Sequence, residues 1–273
     1  MSKESGRYLH GHHESVLRSH TWRTATNSAT YLVPYLKPGM KLLDVGCGPG
    51  TITADFASLV GPDGNVIGID STSGVLTQAQ ETANQRGIQN IEFQVGDIHA
   101  LQFPDNTFDV VHAHQVLQHI SNPILALSEM RRVTKPGGIV ATREADVSSS
   151  VAFPETQGVH RLLHDLYVKV ARSIGGEPNA GRCLHFWARK AGFEKSQIKS
   201  SASVWCFNTP EEISWWGNLW ADRIISSSFS NNAIEKGLST TEELNEISQA
   251  WKDWIKEEDA WFTMMHGEII CTV

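Results

Sequence analysis

Three glycines fall within five residues in the stretch LDVGCGPG, at Gly46, Gly48 and Gly50, after an apolar run and before a helical pattern. In such a turn, missing side chains let backbone N–H groups and a helix N-terminus approach a ligand. Gly46 and Gly48 would permit that close approach, and Gly50 close helix packing. Acids stand nearby. Asp70 comes 20 residues after Gly50, where a carboxylate can hold the two hydroxyls of a ribose. Gly96-Asp97-Ile98 sets an acid beside an apolar neighbour, a pair suited to an adenine edge. Asp44, two residues before Gly46, could order the loop or meet a ligand amine. The set describes a nucleoside cradle with many acids and no paired phosphate anchor. A dinucleotide site would want its third glycine where Thr51 stands, which counts against a nicotinamide enzyme.

A second group of chemistry-bearing residues ends two later apolar runs, as His112-Ala113-His114-Gln115 and Arg143-Glu144-Ala145-Asp146. His114 or Glu144 could act as a general base toward an amine or phenol, whereas a thiol, with an ordinary pKa of about 8.5, needs little help. His114 could equally be a structural histidine or a cofactor contact, and Glu144 and Asp146 could be acids tied to Arg143. Seven of the nine tryptophans follow residue 204. Trp215, Trp216 and Trp220 sit on a helical pattern that is apolar nearly all round and so needs burial on two sides. One side is core; the other is either more core or a cap over an apolar, aromatic acceptor, with Trp220 as its contact. Twelve histidines include His10, His12 and His13, but without a partner pair at ligand spacing they read as a polar terminus, and no metal is expected.

Short apolar runs at Lys41–Val45, Val66–Asp70, Ile91–Val95, Phe108–Ala113 and Gly138–Thr142 alternate with helical patterns, the rhythm of strand-helix-strand units and a parallel sheet. Ile52, Phe56, Leu59 and Val60 give the first helix an apolar face. Asn122-Pro123 opens another as N-cap and first-turn proline. Beyond the fifth strand, a long helix through Val159–Ile174 and one through Leu184–Ala191 precede an alternating strand at Gln197–Phe207. Thr209-Pro210-Glu211-Glu212 and Thr240-Thr241-Glu242-Glu243 read as capping boxes, with Ser226–Asn232 a polar loop between the helices they start. A final strand runs from Phe262 to Val273.

The 273 residues suit one α/β domain with insertions. A net charge of -7 and no basic run longer than a pair argue against a nucleic-acid partner. Cys47, Cys183, Cys206 and Cys271 lack disulfide or metal spacing and read as free thiols. No apolar run is long enough for a membrane span and no signal peptide is evident, so the expectation is a cytoplasmic protein, monomer or homodimer.

LDVGCGPGT, GID, GDI and FDVVHAHQVLQHI, taken as an ordered set over residues 40 to 145, resemble the motifs of class I S-adenosylmethionine-dependent methyltransferases. The resemblance is to the ubiquinone and menaquinone biosynthesis branch. The stretches SHTWRTATNSATYLVPYLKPG and READ resemble fungal and bacterial small-molecule members, including dithiol S-methyltransferases of the gliotoxin type.

The resemblance implies a Rossmann-like α/β fold: a seven-stranded, mostly parallel sheet with the last strand antiparallel. It divides the chain into an N-terminal helical arm or lid (1–36) and a methyltransferase domain (37–273) with helical insertions near 155–192 and 209–258. It implies S-adenosylmethionine as cofactor, with Gly46, Cys47 and Gly48 along the methionine portion, Asp70 on the ribose with Ser71 beside it, and Asp97 with Ile98 at the adenine. Asp44, His114 and Gln115 would complete the cofactor contacts, Arg23 would pair with the methionine carboxylate or stay an exposed helix charge, and Tyr8 could cover the sulfonium. His114 and Glu144 are the catalytic candidates, Asp146 and Trp220 the acceptor contacts. The expected reaction is methylation of a small apolar acceptor, first a thiol of a fungal-type metabolite. The alternatives are C- or O-methylation of a quinone or polyketide, or cofactor binding without catalysis.

Overall fold

The computed structural model describes residues 19–273. Tyr8, His10, His12 and His13 lie outside the described residues. The centre is an eight-stranded sheet. Its strands are β1 (Lys41–Val45), β2 (Asn65–Asp70), β3 (Ile91–Val95), β4 (Phe108–His114), β5 (Thr134–Ala145), β6 (Val151–Phe153), β7 (Ile198–Phe207) and β8 (Trp261–Thr272). The order is β3-β2-β1-β4-β5-β8-β6, with β7 along the other edge of β8. β1 to β5 run parallel, and β8 is antiparallel to β5, β6 and β7.

The antiparallel last strand agrees with the sequence expectation; the strand number differs by one. The extra strand is β6, three residues pairing Val151 to Phe153 with Thr263 to Trp261. Three residues are too few for alternation to show.

Helices cover both faces. On one, α1 (Ala25–Ser28), α2 (Thr51–Val60) and α3 (Ser73–Gln85) bury Ala25, Ile52, Phe56, Val60 and Ala83 against Leu42, Val66 and Val110. On the other, α4 (Pro123–Val133) and α7 (Ala180–Lys190) pack Leu127, Met130, Leu184 and Trp187 against Leu43, Val111 and Ile269. Asn122 caps α4 as expected, its side chain accepting from the Leu125 N–H at 3.1 Å, with Pro123 in the first turn.

Between α4 and α7 a rod runs through α5 (Gln157–Arg161), a π-helical turn (Leu162–Leu166) and α6 (Tyr167–Ser173). The helices α8 (Pro210–Ser226), α9 (Ser228–Glu235) and α10 (Thr241–Trp254) form a cap between β7 and β8. Both expected capping boxes are formed, Thr209 with Glu212 and Thr240 with Glu243. The segment read as a polar loop is instead α9, because Phe229 and Ala233 are spaced to bury one face. Cap and rod share a core containing Leu163, Leu166, Trp216, Leu219, Trp251 and Trp254. Trp251 and Trp254 are each 0% exposed, a burial that stabilises the cap by roughly 1.5–3 kcal/mol per large side chain.

Candidate functional site

The β1–α2 turn answers the question its glycines raise, and answers differently for each. Gly46, Gly48 and Gly50 have φ of 69°, 55° and 76°, the left-handed region where glycine is at ease. A Cβ on Gly46 would overlap the Val116 side chain, and one on Gly50 would come within 2.9 Å of Ala79 Cβ and 3.0 Å of Phe93 Cζ. At Gly48 a Cβ would meet nothing closer than His20 Nδ1 at 3.9 Å. Gly46 and Gly50 therefore serve packing, and Gly48 marks the open side of the loop. Gly46 and Cys47 donate their N–H groups to the Ile69 carbonyl at 2.7 and 2.9 Å, which binds the loop to the end of β2.

Asp70 accepts from Gly48 N at 3.2 Å and from Thr72 N at 3.0 Å, so its carboxylate sits at the open side of the loop. Ser71 next to it is exposed. Asp97 accepts from His99 N and faces His99 Nδ1 at 2.9 Å, with Ile98 buried behind it. Asp44 points its carboxylate at neighbouring elements. It is buried, accepts from Thr53 Oγ1 at 2.6 Å and faces His112 Nδ1 at 2.7 Å, which joins β1 to α2 and β4. Cys47 turns its sulfur inward, where a Cβ on Gly68 would lie 3.1 Å from it. Burial, then Asp44 and Asp70, push its pKa well up, so the thiol stays protonated.

At the tips of β4 and β5 the structure reassigns the acids. Glu144 is fully buried, and its oxygens accept from the N–H groups of Val116, Leu117 and Gln118 at 3.0, 2.9 and 3.2 Å. It caps the short helical turn Leu117–His119, with Oε1 taking two of these bonds and Oε2 one, so a role in holding that turn stands beside the general-base expectation. Burial pushes its pKa up to about 7 against the pull of those three donors. Asp146, expected at the acceptor, is also fully buried and held by Arg182 Nε at 2.6 Å and Nη2 at 2.5 Å. Neither acid is tied to Arg143, which pairs with Glu268 at 3.3 Å and donates to Ser203 Oγ at 2.9 Å.

His114 and Gln115 remain at the site. Both ring nitrogens of His114 are buried without a hydrogen-bond partner among the described residues. Burial first, then the positive charges of Arg23 and Arg143, hold its pKa well below the ordinary value, so the ring is neutral. Gln115 has φ of 52°, a conformation that costs a residue with a side chain on the order of 1–3 kcal/mol and is concentrated at functional sites. Its amide accepts from Arg23 Nη2 at 2.7 Å and lies 2.9 Å from His266 Nε2. Arg23 thus reaches the tip of β4 and also lies 5.7 Å over the Trp205 ring.

A pocket opens beside these tips, walled by Tyr167, Trp205, Trp216, Trp220 and Phe262, with Arg23 and Arg223 among its lining. Trp220, 6% exposed, both lines this pocket and belongs to the cap's core, and its ring lies 5.7 Å from that of Tyr167. Sequence reasoning missed His20 and His119, which also line it. Burial lowers the His119 pKa to about 3. HQVLQHI held the signal for His119; His20 lies in SHTWRTATNSATYLVPYLKPG, where nothing in the spacing singles it out, and in the structure its carbonyl accepts from Thr51 Oγ1 at 3.3 Å.

A family model described as a methyltransferase domain matches residues 36–177. An uncharacterized methyltransferase of Schizosaccharomyces pombe is 38% identical over 96% of this chain and 95% of its own length. A protein of Aspergillus luteorubrus named as a probable methyltransferase is 32% identical over 98% and 97%. A demethylmenaquinone methyltransferase of Bacillus cytotoxicus is 32% identical over 60% of this chain and 64% of its own. Among solved structures, phosphoethanolamine N-methyltransferase 2 of Haemonchus contortus superposes with a TM-score of 0.54 at 19% identity, over 89% of this chain and 52% of that one. The [4+2]-cyclase SpnF does so at 0.51 and 20%, over 95% and 86%, and at such identities a likeness speaks for the fold alone. With the family model spanning half the chain and a relative matching it nearly end to end, the chain belongs to the methyltransferase-domain family, the class I enzymes that draw their methyl group from S-adenosylmethionine.

Proposed function

We propose that this methyltransferase acts on a thiol of a small aromatic molecule, held between the tips of β4 and β5 and the tryptophan-rich cap. The observation that carries the reading is an aromatic-walled pocket whose lining, among the described residues, includes no carboxylate; nearby, Glu144 is engaged by three backbone N–H groups and Asp146 by Arg182. A thiol ionises near neutral pH and can do without a base.

The residues present fit the methyl donor. The open side of Gly48 admits the methionine portion, with Gly46 and Cys47 contributing backbone. Asp70, at that open side, would take the ribose hydroxyls, with Ser71 adjoining; Asp97 and Ile98 would hold the adenine, and Arg23 the carboxylate. When bound, the sulfonium supplies a methyl carbon already activated for in-line displacement, so alignment and exclusion of water carry much of the rate. The aromatic walls do the excluding. His114, neutral and with both ring nitrogens lacking a hydrogen-bond partner among the described residues, is a group at the tip of β4 able to accept a proton, and Gln115 is held beside it by Arg23.

Quinone methylation is the second reading, favoured by the similarity to demethylmenaquinone methyltransferases. Labelled S-adenosylmethionine with matched aromatic thiols, phenols and hydroquinones separates the two. With thiols, His114→Ala should keep kcat/KM within about tenfold; with phenols, loss of a general base should cost about 10²–10⁴. Transfer to phenols or hydroquinones but to no thiol would overturn the first reading.

A further inference from the structure

We infer that the rod beneath the cap carries a second, separate site: a divalent-metal site of the zinc type, formed by Glu155, His160 and His164. The sequence reading expected no metal and passed over this pair, although His160 and His164 are four residues apart and so share one helical face. In the structure the ligand-capable atoms of the three side chains all lie within 4.8 Å of one another. His160 Nε2 is 3.8 Å from Glu155 Oε1, and the two imidazole rings are 4.7 Å apart at 42°.

Two imidazoles and a carboxylate are a zinc donor set that leaves a fourth position to water, and ligand bonds of about 2.0–2.2 Å require each group to move by only about an ångström. The side chains are placed to make that movement: His160 is 54% and Glu155 64% exposed. Basic residues of the rod that would compete for the carboxylate have acids of their own, Arg161 with Glu243 at 3.0 Å and Lys169 with Asp165 at 2.6 Å.

The position gives the site a structural effect. His160 belongs to α5, His164 to the π turn, and Glu155 to the chain entering α5. A shared ion would fasten that entry to the π turn, and Leu163 of the turn, with Tyr167 just after it, lines the acceptor pocket. The metal would therefore fix one wall of that pocket, whichever acceptor it takes.

Calorimetric titration of the chelator-treated full chain with zinc chloride alone tests the site. The expected result is one equivalent bound, at micromolar affinity. His164→Ala and Glu155→Gln should each weaken it about tenfold or more with circular dichroism unchanged. The triple variant His10→Ala, His12→Ala, His13→Ala should bind as the native chain does. Absence of binding, binding unaffected by both rod variants, or binding lost on the triple variant would each overturn the proposal.

Discussion

Gly46 gives way to a valine, Gly50 to a helix and a phenylalanine ring, and Gly48 alone to open space. Gly48→Val should therefore remove cofactor binding without removing the fold. It would set a β-branched residue at φ of 55°, a cost on the order of 1–3 kcal/mol, and fill the open side beside Asp70. Calorimetry with S-adenosylhomocysteine should show at least about a tenfold loss of affinity, while urea unfolding stays cooperative. Full affinity would place the cradle elsewhere. The glycine spacing announced close approach but not what approaches, because Val116 arrives from just beyond β4 and Phe93 from β3. Glu144 and Asp146 were legible as strand-end acids. Their partners were not, since the N–H groups of Val116–Gln118 and the Arg182 guanidinium come from 26 to 36 residues away in the chain.

Elements defined by local chemistry were the ones the sequence revealed. The capping boxes at Thr209 and Thr240 and the N-cap at Asn122 satisfy their own helix ends, so no distant residue is needed to see them. The π turn was invisible because its hydrogen bonds leave the apolar spacing of Val159–Ile174 almost unchanged, and α9 was hidden by its serines and asparagines. The cap helix α8 faces both ways, toward Trp251 through Trp220 and toward the pocket through the same ring. Trp220→Phe keeps an aromatic in that place. Initial-rate kinetics with whichever acceptor is turned over should show its KM rising more than the dissociation constant of S-adenosylhomocysteine. An unchanged KM would make the helix core only.

Across the molecule, three buried histidines are kept uncharged, and they bear on its response to acid. His114 and His266 are held well below the ordinary range and His119 at about 3, in each case chiefly by burial. In the unfolded chain each would titrate near 6.5. As pH falls below about 6.5 the unfolded chain binds protons that the folded chain refuses, so stability declines by up to about 1.4 kcal/mol per pH unit for each. Glu144 works the other way: with its pKa raised to about 7, the folded chain gains a proton that the unfolded chain takes up only near 4.3, which adds stability on acidification. Three groups oppose one, so the urea midpoint should be lower at pH 5 than at pH 7. An equal or higher midpoint would mean that the histidines charge within the fold.

β8 pairs with three strands at once. Until residues 261–272 arrive, β5 lacks a neighbour on one side and β6 and β7 have no partner in the sheet at all. A chain halted or clipped before that point would display bare strand edges, the surfaces through which proteins aggregate. Closing the β5 and β6 edges requires joining segments more than a hundred residues apart, a slow step for any chain. The strand that completes the sheet is thus also its guard against self-association, and aggregation of partly synthesised chains should end when that strand docks.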